Sequence, residues 1–133
     1  MATITNASLT ITHDHEKKLA HTVVTCRVNF SVQEQALMNA LPGTNVFKLR
    51  CQLWGADSGF FGSDDPLYTS GDVHFFADST PTLSENRSFR DTVGEGVLDE
   101  DIGTDEIYGK IILTNLLFPV TITKKTNEVS HSF

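Results

Sequence analysis

The chain has 133 residues and a mass of 14.7 kDa, room for one compact domain with one core. Hydrophobic residues make up 39% and charged residues 20%, with nine Gly and four Pro, so a disordered, collagen-like or low-complexity chain is excluded. Ten Lys and Arg against seventeen Asp and Glu give a formal charge of −7, which argues against sequence-independent attraction to nucleic acid or to an anionic bilayer.

In chain order, Leu9 and Ile11 alternate with Thr10 and Thr12 as a half-buried strand requires, and the polar run His13-Asp14-His15-Glu16-Lys17-Lys18 predicts a turn. Val24, Cys26, Val28 and Phe30 then alternate with Thr25, Arg27, Asn29 and Ser31, the cleanest strand in the sequence. Residues 33–41 fit either about two turns of helix or an extended connection, ended by Pro42-Gly43. Phe47, Leu49, Cys51 and Leu53 mark a third strand. Three glycines, a proline and three aspartates over residues 55–66 predict a long loop.

Order returns at Leu67-Tyr68-Thr69, where Ser70-Gly71 predicts a tight hairpin into residues 72–76. A polar loop over 78–86 leads to a short strand at 89–93. Val97-Leu98 reads as an apolar strand end running into a carboxylate-rich loop. Ile107, Gly109, Ile111 and Leu113 alternate with Tyr108, Lys110, Ile112 and Thr114 in a strand expected to be buried on much of both faces. Phe118, Val120 and Ile122 form the last strand, and the polar tail 124–133 is expected to fray.

Seven or eight short strands with little helix predict an all-β chain: a single antiparallel β-sandwich spanning residues 1–133, of immunoglobulin-like or related Greek-key topology, with a closed barrel as the alternative. No apolar run reaches the roughly 20 residues of a membrane helix, and Met1-Ala2-Thr3-Ile4-Thr5 lacks the basic-then-apolar pattern of a secretory signal. A cytoplasmic location is therefore expected. Cys26 and Cys51 sit at inward positions of strands and are read as reduced core residues. On the same reasoning the Asn-x-Ser sequons at Asn6, Asn29 and Asn86 are chance matches.

Charge is unevenly placed. Residues 57–106 hold thirteen acids and two bases, Arg87 and Arg90, a balance of −11, and the remainder is +4. Such a block must spread its carboxylates or gather cations, since the screening length is only about 8 Å at physiological salt. Calcium takes six to eight oxygens from carboxylates, carbonyls and water, and a flexible acidic loop supplies them. In Asp99-x-Asp101-x-x-x-Asp105 the first two carboxylates share a side in an extended entry, and Gly103 lets the chain fold back toward them with Asp105. Asp57, Asp64 and Asp65 complete a site if the two loops share one end of the sandwich. The pattern is not an EF-hand, because the twelfth position counted from Asp99 is Lys110.

Val97-Leu98-Asp99-Glu100-Asp101-Ile102-Gly103-Thr104-Asp105 and Gly62-Ser63-Asp64-Asp65-Pro66-Leu67-Tyr68 resemble the calcium loops of the C-two family of calcium- and phospholipid-binding β-sandwiches, over residues 50–114. The resemblance implies a C-two-like sandwich with Ca²⁺ ligands at Asp57, Asp65, Asp99, Asp101 and Asp105. It departs from the family in the close spacing of Asp101 and Asp105, in Pro66-Leu67 before the Tyr, and in the short distance between the two loops. Phe60 and Phe61 either cap the core or, beside bound calcium, dip into a lipid interface.

His13 and His15 share a face if strand geometry persists and would then chelate a transition metal with Asp14 or Glu16, although a solvated turn also explains them. No hydrolase motif is present, and an enzyme is not expected. The expected function is a non-enzymatic calcium-binding module whose acidic loops 57–65 and 99–106 engage lipid or a protein partner. The alternative is a structural subunit that oligomerises or packs into a larger particle.

Overall fold

A computed structural model describes residues 1–56, 64–77, 82–99, 104–118 and 120–133. Among them the chain forms strands β1 (Thr3–Asp14), β2 (Leu19–Asn29), β3 (Phe47–Gly55), β4 (Asp65–Thr69), β5 (His74–Phe76), β6 (Ser84–Gly94), β7 (Asp105–Asn115) and β8 (Val120–His131), with helices α1 (Val32–Ala40) and α2 (Glu95–Leu98). The strands make two antiparallel sheets. One has the order β1-β2-β6, and the other β4-β3-β7-β8 with β5 also on β3. The all-β sandwich is therefore observed.

Alternation builds the core. Ala20, Thr22, Val24, Cys26 and Val28 of β2 are buried, and they face Phe47, Leu49, Cys51 and Leu53 of β3 and Ile107, Ile111 and Leu113 of β7 across the sandwich. Each large side chain so covered contributes about 1.5–3 kcal/mol. β7 lies between β3 and β8, and Tyr108 and Ile112 on its second face are also buried, which is why its apolar pattern is nearly continuous.

Several elements differ from the sequence expectation. Residues 32–40 are helical because Ser31 accepts from the Glu34 N–H at 3.1 Å while Glu34 accepts from the Ser31 N–H at 2.8 Å, a reciprocal cap that settles helix over extended chain. The expected hairpin at Ser70-Gly71 does not form: β4 and β5 both pair with β3, at its far and near ends, as one edge strand interrupted at residues 70–73. β6 begins at Ser84, inside the expected loop, because its backbone pairs with β2 over the full span from Leu19↔Gly94 to Asn29↔Ser84. Val97 and Leu98 belong to one turn of helix rather than to a strand end. Phe118 lies in a turn and is exposed, and strand β8 continues through the tail to His131, held by β7.

Both open sides of the sandwich are closed by side chains. On one, β8 bulges between its pairings to Tyr108 and Lys110; there Thr126 Oγ1 accepts from the Gly109 N–H at 2.7 Å. The neighbouring Asn127 turns across to β1, accepting from the Leu9 N–H at 2.8 Å and donating to the Leu9 carbonyl at 3.1 Å. A second bulge, in β1 between Thr5 and Ser8 with Asn6 at φ 53°, bends that strand. On the other side Asp91 of β6 accepts from Tyr68 Oη, Ser70 Oγ and the Gly71 N–H, and Asp72 accepts from the Arg90 N–H at 2.8 Å. No described helix is long and apolar enough to cross a membrane.

Candidate functional site

Strand pairing fixes which connections meet. Gly55 at the end of β3 pairs with Asp65 at the start of β4 and with Ile107 near the start of β7, and the Ala56 N–H donates to the Glu106 carbonyl at 2.7 Å. The two acidic connections, 57–63 and 99–104, therefore leave the same pole. Asp105 pairs with His131 at the end of β8, so the C-terminal strand also finishes there. The β1–β2 turn and α2 complete the pole, docked together by the Glu95 N–H donating to the Lys18 carbonyl at 2.9 Å.

Of the aspartates expected to hold calcium, Asp57 and Asp101 lie outside the described residues, as do Phe60 and Phe61. Asp64 and Asp65 are exposed at the start of the edge strand, Asp99 is exposed directly after α2, and Asp105 is 3% exposed at the start of β7. Asp64 accepts from Tyr108 Oη at 2.8 Å. Burial first, and then that hydrogen bond and the charges of Asp64 and Glu128, push the Tyr108 hydroxyl up to about 12. Tyr108 is thus a neutral donor that steadies the root of the first acidic loop, with the Lys125 ammonium 4.0 Å over its ring. Its bond to a side chain rather than to backbone distinguishes it from a tyrosine corner.

No family model matches the chain. No curated protein sequence matches it either.

The described side chains gathered most tightly at this pole are not the aspartates. Among the described residues, the three that bring metal-ligand atoms within 4.8 Å of one another are His13, His15 and Glu95. His13 Nε2 is 2.7 Å from Glu95 Oε2, and His13 Nδ1 is 2.9 Å from His131 Nε2. His15 Nδ1 lies 4.0 Å from the same Glu95 oxygen. Strand β1 ends at Asp14 and His15 opens the turn that follows, yet its ring lies 5.5 Å from that of His13, so the turn rather than strand alternation brings the two together.

The carboxylate that joins the two histidines is Glu95, in place of the Asp14 or Glu16 expected from proximity in sequence. Asp14 is instead used in the turn, where it accepts from the Lys17 N–H at 3.1 Å. Glu95 and His131 are 82 and 118 residues away from His13, so no local pattern marks them as its partners.

The two cysteines are buried free thiols. Burial pushes Cys26 up to about 11, partly offset by Arg87, and burial with the nearby charges of Cys26 and Asp91 pushes Cys51 up to about 12. Both remain protonated thiols at neutral pH and pack in the core.

Proposed function

We propose that this chain is a non-enzymatic β-sandwich module that binds Ca²⁺ at its loop pole, through the acidic connections 57–65 and 99–106, and presents that pole to a partner. The observation that carries the reading is the pairing of Gly55 with both Asp65 and Ile107, which supports convergence of the two connections. The ligands are Asp57, Asp64, Asp65, Asp99, Asp101 and Asp105, hard oxygens suited to calcium. A cation there neutralises carboxylates that otherwise repel within a Debye length. The C-two resemblance of these same segments adds a lipid surface as the partner class: calcium bridges the acidic rim to anionic headgroups, with Phe60 and Phe61 midway along the sequence of the first loop.

Thermal melts in EDTA and in millimolar Ca²⁺ test this. Calcium is expected to raise Tm by several degrees, since a ligand at 100 times its Kd adds about 2.7 kcal/mol to the native state. Asp99→Asn with Asp101→Asn is expected to abolish the shift. Coincident melts refute the calcium site.

A second reading, an assembly subunit, draws on the opposite pole. There Leu116, Leu117, Phe118 and Val120 are each at least 40% exposed around the β7–β8 turn, an apolar tip left uncovered among the described residues. Against it, both sides of the sandwich are closed by Asn127 and Asp91, which leaves little edge for strand-to-strand assembly. A sizing column separates the two: a calcium-independent multimer favours assembly.

A further inference from the structure

The histidine cluster is separate from the calcium reading, because two of its three donors are imidazole nitrogens, which calcium does not favour, and none of the three is among the calcium-loop aspartates. The side chain of His13 is only 9% exposed and that of Glu95 21%, while His15 at 87% stands open on the solvent side. The arrangement has two partly enclosed donors and one outer donor, with a way in from solvent between them.

We propose that His13, His15 and Glu95 form a binding site for a late first-row divalent transition metal, of which Zn²⁺ is the natural probe. Two imidazoles and one carboxylate are a donor set for zinc and its neighbours, and three protein ligands leave a position for water. The spacing fits. Ligand atoms around a tetrahedral zinc lie about 3.3 Å apart, between the 2.7 Å and 4.0 Å that separate Glu95 Oε2 from His13 Nε2 and from His15 Nδ1. Entry of the ion replaces the short His13–Glu95 hydrogen bond and draws in the exposed His15, whose long reach costs the fold little.

His131 supplies the supporting contact such a site needs. With Nε2 of His13 on the metal, the ring proton must sit on Nδ1, which faces His131 Nε2 at 2.9 Å. Donation to that nitrogen fixes the tautomer and the ring orientation. Phe133 holds the two rings from the side, with centroids 5.3 Å from His13 and 4.7 Å from His131.

The competing account is a purely structural hydrogen-bonded chain, His131–His13–Glu95, that never takes a metal. Calorimetric titration of the full chain with Zn²⁺, in excess Ca²⁺ so that acidic loops are occupied, separates the two. The expected result is one Zn²⁺ per chain, with Co²⁺ substitution giving the intense visible bands of a four- or five-coordinate nitrogen site. His15→Ala, whose exposed side chain cannot unfold the protein, is expected to weaken binding at least tenfold, and Glu95→Gln likewise. His131→Ala is expected to weaken it about 10–100-fold, with the Co²⁺ bands retained. Absence of Zn²⁺ uptake overturns the proposal, as does uptake with the same affinity in His15→Ala and Glu95→Gln. Asp99→Asn with Asp101→Asn removes the calcium shift and leaves zinc affinity unchanged, so failure of either site is read separately.

Discussion

Cys26 and Cys51 illustrate how a single buried atom links composition to a measurable property. Each sulfur occupies an inward strand position, and burial holds its thiol in the neutral form to about 11 and about 12 respectively, against an ordinary value of 9.0. An ionisable acid whose folded value is raised contributes stability below its unfolded value and loses it as pH rises, because the unfolded chain sheds the proton first. The thiols' contribution to stability is therefore expected to be constant below pH 9.0 and to fall above it, by about 1.4 kcal/mol per pH unit for each thiol. The loss ends only where the folded thiols ionise, at about 11 and about 12, and Tyr108 acts with the same sign at its own higher range. Urea denaturation on either side of pH 9.0 checks this, and Cys26→Ala with Cys51→Ala should make the dependence shallower. An unchanged midpoint would mean that the sulfurs ionise as freely folded as unfolded. Alternation in the sequence already placed both residues inside; their shift depends on how completely the facing sheet covers them.

At the scale of elements, the contact between β7 and β8 is set by one glycine. A Cβ on Gly109 would stand 3.1 Å from Thr126 Cγ2 and 3.1 Å from Val24 Cγ2, a squeeze between the bulge of β8 and the facing sheet. Gly109→Val is accordingly expected to cost about 1–3 kcal/mol in stability through overpacking, seen as a lowered urea midpoint. A neutral effect would mean that the bulge moves aside freely. In the sequence Gly109 shows only as a gap in an otherwise apolar alternation. Its reason is the bulge, which needs the Thr126 hydroxyl to replace a missing backbone acceptor, and a bulge in another strand leaves no local mark. The helix at 32–40 is the reverse case: Ser31 and Glu34 form a capping box readable from their three-residue spacing, although alternation alone left helix and extended chain equal. The interrupted edge strand β4–β5 was misleading for a related reason, since a Ser-Gly pair signals a change of direction and here the chain only pauses. Ser70, Gly71 and Tyr68 instead spend their donors on Asp91 across the sandwich.

Over the whole molecule, Asp91 and Asn127 close opposite sides of the sandwich and so hold the two sheets in the alignment that defines the poles. Asp91→Ala removes the acceptor of three donors, and it is expected to destabilise by about 1–3 kcal/mol. Asp91→Asn should recover part of that loss. Equilibrium unfolding of both variants checks the claim, and wild-type stability in Asp91→Ala would show that this side holds without the carboxylate. The consequence for function is positional. With both sides closed, the described residues gather carboxylates and histidines at one pole and expose the apolar turn of Leu116, Leu117 and Phe118 at the other.

The sequence by itself determined the sandwich, the inward faces of β2, β3 and β7 and the concentration of acid in two connections, because period-two burial and turn chemistry act over neighbouring residues. For His13 and His15 it left a shared strand face and a solvated turn both open, and in the structure His15 lies in the turn. Only the tertiary structure decided that the two acidic connections depart from one pole, and that His13 meets Glu95 and His131 there. Those meetings join residues far apart in the chain, through register between strands and the closure of two sheets, and spacing along a single sequence carries no trace of them.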